Sequence, residues 1–142
     1  MAENIVVVGV DGSETARLAA DAARDIAAAL GARLHIVTAF DSDRMEVYTD
    51  GDDTWVDSAA DTAERTAGRV AEELESSEMH VSYTGARGKP AEALIEEAQR
   101  LDARMIVVGN KRMSGVSRVL GSVANSVAHH APCDVYIVKT DV

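Results

Sequence analysis

Five short apolar runs alternate with helix-forming segments along this chain, and that alternation restricts the fold more than any other feature. The runs are residues 4–10 (NIVVVGV), 33–40 (RLHIVTAF), 79–85 (MHVSYTG), 104–110 (RMIVVGN) and 133–140 (CDVYIVKT). They are rich in β-branched residues and bounded by turn signals, as strands are. The first intervening segment is Ala-rich, with Ser13 as its N-cap and Gly31 as its stop. The second runs from Trp55 to about Ser76, with Val56, Ala59, Ala60, Ala63, Ala67, Val70, Ala71 and Leu74 on one side. The third, 89–102, carries Pro90 in its first turn, and the fourth, 117–130, is closed by Pro132. Residues 41–54 are polar, acidic and glycine-bearing, so a loop is expected there. Strict β-α alternation with nearly continuous apolar strands predicts a parallel sheet covered by helices on both faces. Right-handed crossovers leave few topologies. In such sheets ligands bind beyond the carboxyl ends of the strands, where strand order reverses. The segments VDGS (10–13), TAFDSD (38–43), TGARG (84–88) and GNKRMSG (109–115) should therefore share one rim.

The chain has 142 residues, enough for one domain (1–142) around one sizeable core. It is 46% hydrophobic and 27% charged, a globular balance. A net charge of −10 argues against a general nucleic-acid binder, whose footprint is basic. Apolar runs of at most about eight residues are too short to span a membrane. The N-terminal MAENIVVVGV shows no basic n-region and no cleavage site, and Cys133 is the single cysteine. Both suggest a cytoplasmic protein without an internal disulfide.

The charge is unevenly spread. Residues 41–64 hold nine acids and one base, Arg44, whereas 105–133 hold no acid and three cations, Lys111, Arg112 and Arg118. That second segment (MIVVGNKRMSGVSRVLGSV and onward) runs from a strand through a glycine-bearing basic loop to a helix start. Glycines after a strand let backbone N–H groups approach a phosphate, and a helix N-terminus adds partial positive charge. Ser122, Val123 and Ala124 would offer N–H groups with no helical partner. The plain alternative makes Ser122 an N-cap and the glycines turn residues. No GxxxxGK[ST] occurs, and GVDGSE is not GxGxxG. Asp11, just after the first strand, can accept from an adenine amino group or a ribose hydroxyl; its structural alternative is to cap the first helix.

These residues carry a resemblance. IVVVGVDGSETARLAADAA, LHIVTAF, GKPAEALIEEA, ARMIVVGNKRMSG and GSVANSVAHHAPCDVYIVK together resemble the universal stress proteins of the UspA-like superfamily, over nearly the whole length. The resemblance implies a Rossmann-like three-layer α/β domain with a five-stranded parallel sheet in the order 3-2-1-4-5. It also implies a homodimer and binding of ATP or another adenine nucleotide, with or without Mg²⁺; CDVYIVKT, an edge strand of alternating apolar residues, puts the fifth strand at the dimer interface. Of the family pattern G-x2-G-x9-G-[S/T], Gly109 matches the first glycine and Gly121-Ser122 the end. Arg112 stands where the second glycine belongs, and the stretch before Gly121 is one residue short. Carried over by position, the base lies near Val10, Asp11 and the backbone of Val37, and the ribose near Val108 and Gly109. The phosphates meet Lys111, Arg112, Gly121, Ser122, Val123 and Ala124.

Catalytic signals are sparse. There is no nucleophile elbow, no His–carboxylate motif and no metal-ligand spacing among His35, His80, His129 and His130. His129 and His130 suit a helix C-terminus, and Cys133 reads as an inert thiol. Met45, Tyr48 and Trp55 flank the acidic loop and could cover a base or simply pack. The leading expectation is a stress-response regulatory protein that binds a nucleotide. The alternatives are a slow ATPase or phosphoryl-transfer enzyme using the same pocket, and a UspA-like interaction protein without nucleotide. A phospho-receiver domain would need a carboxylate after the third strand, where YTGARG has none.

Overall fold

The structure is a computed structural model that describes residues 4–110 and 120–140. Its elements are β1 (Ile5–Gly9), α1 (Glu14–Leu30), β2 (Arg33–Phe40), β3 (Met45–Asp50), β4 (Asp53–Ser58), α2 (Ala59–Leu74), β5 (Val81–Arg87), α3 (Pro90–Arg100), β6 (Met105–Asn110), α4 (Ser122–His130) and β7 (Asp134–Lys139). The main sheet has the order β5-β2-β1-β6-β7 with all neighbours parallel. Counting only its own five strands, that is the expected 3-2-1-4-5. Strand order reverses between β1 and β6.

The alternation of β1 explains the layering. Val6 and Val8 join a core cluster with alanines of α1 and α2, whereas Ile5 and Val7 join a second cluster with Leu94 of α3 and Val127 of α4. Two helices therefore cover each face. On α1 the buried positions are Ala19, Ala20, Ala23 and Ala27, so the helix lies close against the strands. Ser13 caps α1, its Oγ accepting from Ala16 N–H at 3.2 Å, and Gly31 ends it in the left-handed conformation. No helix among the described residues is long and apolar enough to cross a membrane.

Several expectations are corrected. Residues 41–54 are not simply loop: β3 and β4 form an antiparallel hairpin in register Val47↔Val56 and Tyr48↔Trp55. Its two-residue connection, Gly51-Asp52, begins with Gly51 at φ 62°, the conformation a type II′ turn needs at its first position. Trp55 and Val56 consequently belong to β4 and are exposed, and α2 starts at Ala59. Ser58 and Asp61 form a reciprocal capping box there. The third strand of the main sheet is shifted to Val81–Arg87, and α4 starts at Ser122 with Gly121, not Ser122, as N-cap. The expected helical start at 117–119 lies outside the described residues.

Candidate functional site

At the end of β1 the chain turns through Val10, Asp11 and Gly12 into α1. Val10 is buried, and its N–H donates to Val37 O at 2.9 Å, the last rung between β1 and β2. Asp11 is exposed, and its Oδ1 accepts from Ser13 N–H at 2.9 Å. Ser13 thus caps the helix, while Asp11 steadies the turn and keeps a carboxylate at the rim.

Across the point where strand order reverses, β6 ends with Val108, Gly109 and Asn110. A Cβ on Gly109 would come within 3.0 Å of Thr140 Cγ2 and 3.3 Å of the Ala19 Cβ. Only a residue without a side chain lets β6 pass between α1 and the end of β7. Asn110 is buried, its Oδ1 accepts from Gly121 N–H at 2.7 Å, and its backbone oxygen accepts from Thr140 N–H at 3.1 Å. This one side chain fixes where α4 begins relative to β6. The first helical bond of α4 is Asn125 N–H to Gly121 O, so the N–H groups of Ser122, Val123 and Ala124 have no intrahelical partner.

Between these segments lies a cleft of about 270 Å³. Of the residues singled out in the sequence, Val10, Asp11, Val37, Val108, Gly109 and Val123 line it. Gly121 and Ser122 stand at the start of α4 without lining the cleft, and the Ala124 side chain is buried in the core. Lys111 and Arg112 lie outside the described residues. Sequence reasoning missed Asn110 and the wall that α3 contributes, Pro90 and Leu94.

It also missed Ala39. Backbone groups along a strand point alternately to its two neighbours. Val37 faces β1, so Ala39, two residues on, faces the same way. The β1–β2 ladder stops at Gly9↔Val37. Ala39 therefore presents one N–H and one C=O past the end of β1, beside the cleft it lines. Ladder parity was the signal that would have found it.

Beneath the cleft a polar cluster anchors α3. His35, on β2, is buried, with Nε2 2.9 Å from Glu97 Oε2 and Nδ1 2.7 Å from the Ser82 hydroxyl. Arg100 donates to both Glu97 oxygens, at 2.6 and 3.0 Å. Burial pushes the His35 imidazole below its ordinary value, so the ring is neutral. Burial also opposes the Glu97 charge, but hydrogen bonds from Arg100 and His35 outweigh it and hold the carboxyl low. Nε2 then donates to Glu97, and Nδ1 accepts from Ser82.

The family profile of the universal stress proteins matches residues 3–139. The chain belongs to the universal stress protein family. A Staphylococcus aureus (strain USA300) protein named for this family is 29% identical over 139 residues, covering 96% of this chain and 84% of its own. Among solved structures, a universal stress protein in complex with cAMP is 33% identical with a TM-score of 0.70, over 99% of both chains. A protein of Mycobacterium tuberculosis H37Rv is 30% identical with a TM-score of 0.58, over 97% of this chain and 96% of its own. The five-stranded parallel sheet flanked by helices matches the fold of these solved structures.

Proposed function

We propose that this universal stress protein family member is a stress-response regulator that takes an adenine nucleotide in the rim cleft. One observation carries the reading: an apolar slot walled by Val10, Val37, Leu94 and Val108 lies beside the start of a helix where three N–H groups have no partner among the described residues. A flat base needs the first and a phosphate the second. The relative that is 33% identical was solved with cAMP, a ligand that joins those two parts. Ala39 N–H and C=O match the acceptor and amino donor on one edge of adenine. The Asp11 carboxylate is placed for an exocyclic amine or a ribose hydroxyl. Occupancy would report nucleotide supply to a partner or to a dimer interface. Binding is favoured over hydrolysis because Asp11 is the only carboxylate in the described lining, and rapid phosphoryl transfer needs a positioned base and a held metal.

Calorimetric titration with AMP, cAMP and ATP tests this. At least one should bind, and Asp11→Ala should weaken it by about 10- to 150-fold, the value of a hydrogen bond to a charged group at about 1.5–3 kcal/mol. Failure of all three to bind would overturn the reading. Unchanged affinity in Asp11→Ala would remove that carboxylate from the site.

A further inference from the structure

Side chains that could bond a ligand are not spread evenly around the rim cleft. On its α3 and α4 side they are apolar, Pro90, Leu94 and Val123, whereas three hydroxyls, of Ser13, Thr15 and Thr140, line the α1 side. Alternation puts Thr140 on that side. Val107 and Val138 pack in the cluster that holds α1, and Gly109 and Thr140 each lie two residues further on. A Cβ on Gly109 accordingly would meet Ala19 of α1 as well as Thr140. Two of the three hydroxyls are engaged. Ser13 Oγ accepts from Ala16 N–H, and the Ser13 and Thr15 oxygens lie 3.2 Å apart. The third is not. Thr140 is 2% exposed, and its Oγ1 has no hydrogen-bond partner among the described residues. It is not sealed away, as the unpartnered Thr38 Oγ1 is, so the surface it keeps opens on the cleft that Thr140 lines. Gly109 leaves the approach clear, since a Cβ there would stand 3.5 Å from that oxygen. Buried hydroxyls are nearly always satisfied, so one left unpaired in the wall of a cleft marks a contact that a ligand completes.

We propose that the Thr140 hydroxyl bonds the 2′,3′-hydroxyl edge of the ribose, so that the cleft selects ribonucleotides over their deoxy counterparts. The inference rests on the nucleotide reading above. With the edge of the base on Ala39 of β2, the ring system covers the end of β1, one strand spacing of about 4.8 Å away. The sugar then falls over Gly109 at the end of β6, with Thr140 beyond it at the end of β7. Which side of the sugar turns to Thr140 follows from its stereochemistry. The base and the 5′-carbon leave one face of the ribose ring, and the 2′- and 3′-hydroxyls leave the other. A 5′-phosphate is drawn to the N–H groups at the start of α4, which packs with α3 on the opposite face of the sheet from α1. The two hydroxyls therefore face the α1 side. A threonine hydroxyl donates and accepts, as a sugar hydroxyl does, so the pair is satisfied whichever gives the proton.

The test is calorimetry with AMP, 2′-deoxy-AMP and 3′-deoxy-AMP on wild type, Thr140→Val and Thr140→Ser. Thr140→Val keeps the side-chain shape and removes the hydroxyl; Thr140→Ser keeps the hydroxyl and drops the methyl group beside Gly109. Wild type should bind AMP about fivefold or more tightly than at least one deoxy analogue. Thr140→Val should lose that preference, with AMP weakened to the affinity of the analogue and the analogue itself held within about twofold. Thr140→Ser should keep it. Equal binding of all three ligands by wild type would sink this inference and leave the nucleotide reading standing. A preference that survives in Thr140→Val would also overturn it, by giving the sugar contact to another group. Equal loss of AMP and analogue in that variant would overturn it too, by reducing Thr140 to a packing residue. If AMP fails to bind wild type this inference falls, and if cAMP and ATP fail as well the nucleotide reading falls with it.

Discussion

His35 sits mid-strand in β2 at 4% exposure, held between the Ser82 hydroxyl and the Glu97 carboxylate. The groups facing it are Glu97 and Arg100 from α3, Ser82 from β5 and Arg33 from its own strand; both arginines oppose its protonation. The unfolded chain therefore takes up a proton near pH 6.5 that the folded chain refuses, and stability falls as the pH drops below that value. Glu97, held low, adds a second loss as the pH falls below 4.5, when the unfolded carboxyl protonates first. Thermal melts from pH 8 to pH 4 should show the first loss in wild type and a smaller one in His35→Gln, with the second kept in both. A wild-type midpoint that does not move between pH 7 and pH 5 would show that the imidazole is not excluded from charge. None of this was legible in the sequence, because the partners His35 and Glu97 are 62 positions apart and no spacing rule connects them. Asp11 was legible for the opposite reason: its role follows from the turn immediately after β1.

At the scale of elements, α2 and β5 meet at Gly85. A Cβ there would lie 2.8 Å from the Glu64 backbone nitrogen and 3.2 Å from its Cα, so the helix would have to move. Helix backbone cannot yield as a flexible side chain does. Gly85→Ala should therefore destabilise the protein by about 1–3 kcal/mol, the usual cost of overpacking, measurable as a lowered urea midpoint with an unchanged slope. A midpoint equal to wild type would mean that α2 is free to shift. The parallel strands were readable because they are buried on both faces and nearly all apolar, as Val6 to Val8 are. The hairpin was not, because β3 and β4 pair only with each other and expose Met45, Val47, Trp55 and Val56. Burial therefore left no one-sided pattern across 41–54. The Gly51-Asp52 pair between alternating residues was the available sign, and the acidic composition masked it. The Tyr48 and Trp55 rings stack at 5.8 Å across the two strands, a contact that neither residue signals alone.

For the whole molecule, the two edges of the sheet differ. Along β5 the helix α2 lies close, with Gly85 against its backbone. Along β7 the residues Val135, Ile137 and Val138 are only half-buried and Tyr136 is 48% exposed. Thr140 N–H turns inward to Asn110 O, so by alternation the N–H groups of Val135, Ile137 and Lys139 face outward. A row of donors and acceptors left uncovered among the described residues, beside half-buried apolar side chains, is completed most simply by the same strand of a second copy across a two-fold axis. We expect a homodimer through β7, running at twice the monomer mass in light scattering at micromolar concentration. Lys139→Pro would remove one outward donor from each copy, two per dimer, and take none from β6. It should run at the monomer mass where wild type is dimeric, with an unchanged circular dichroism spectrum. A wild type that is strictly monomeric at those concentrations would refute the interface. A Lys139→Pro variant as dimeric as wild type would move the interface to another face.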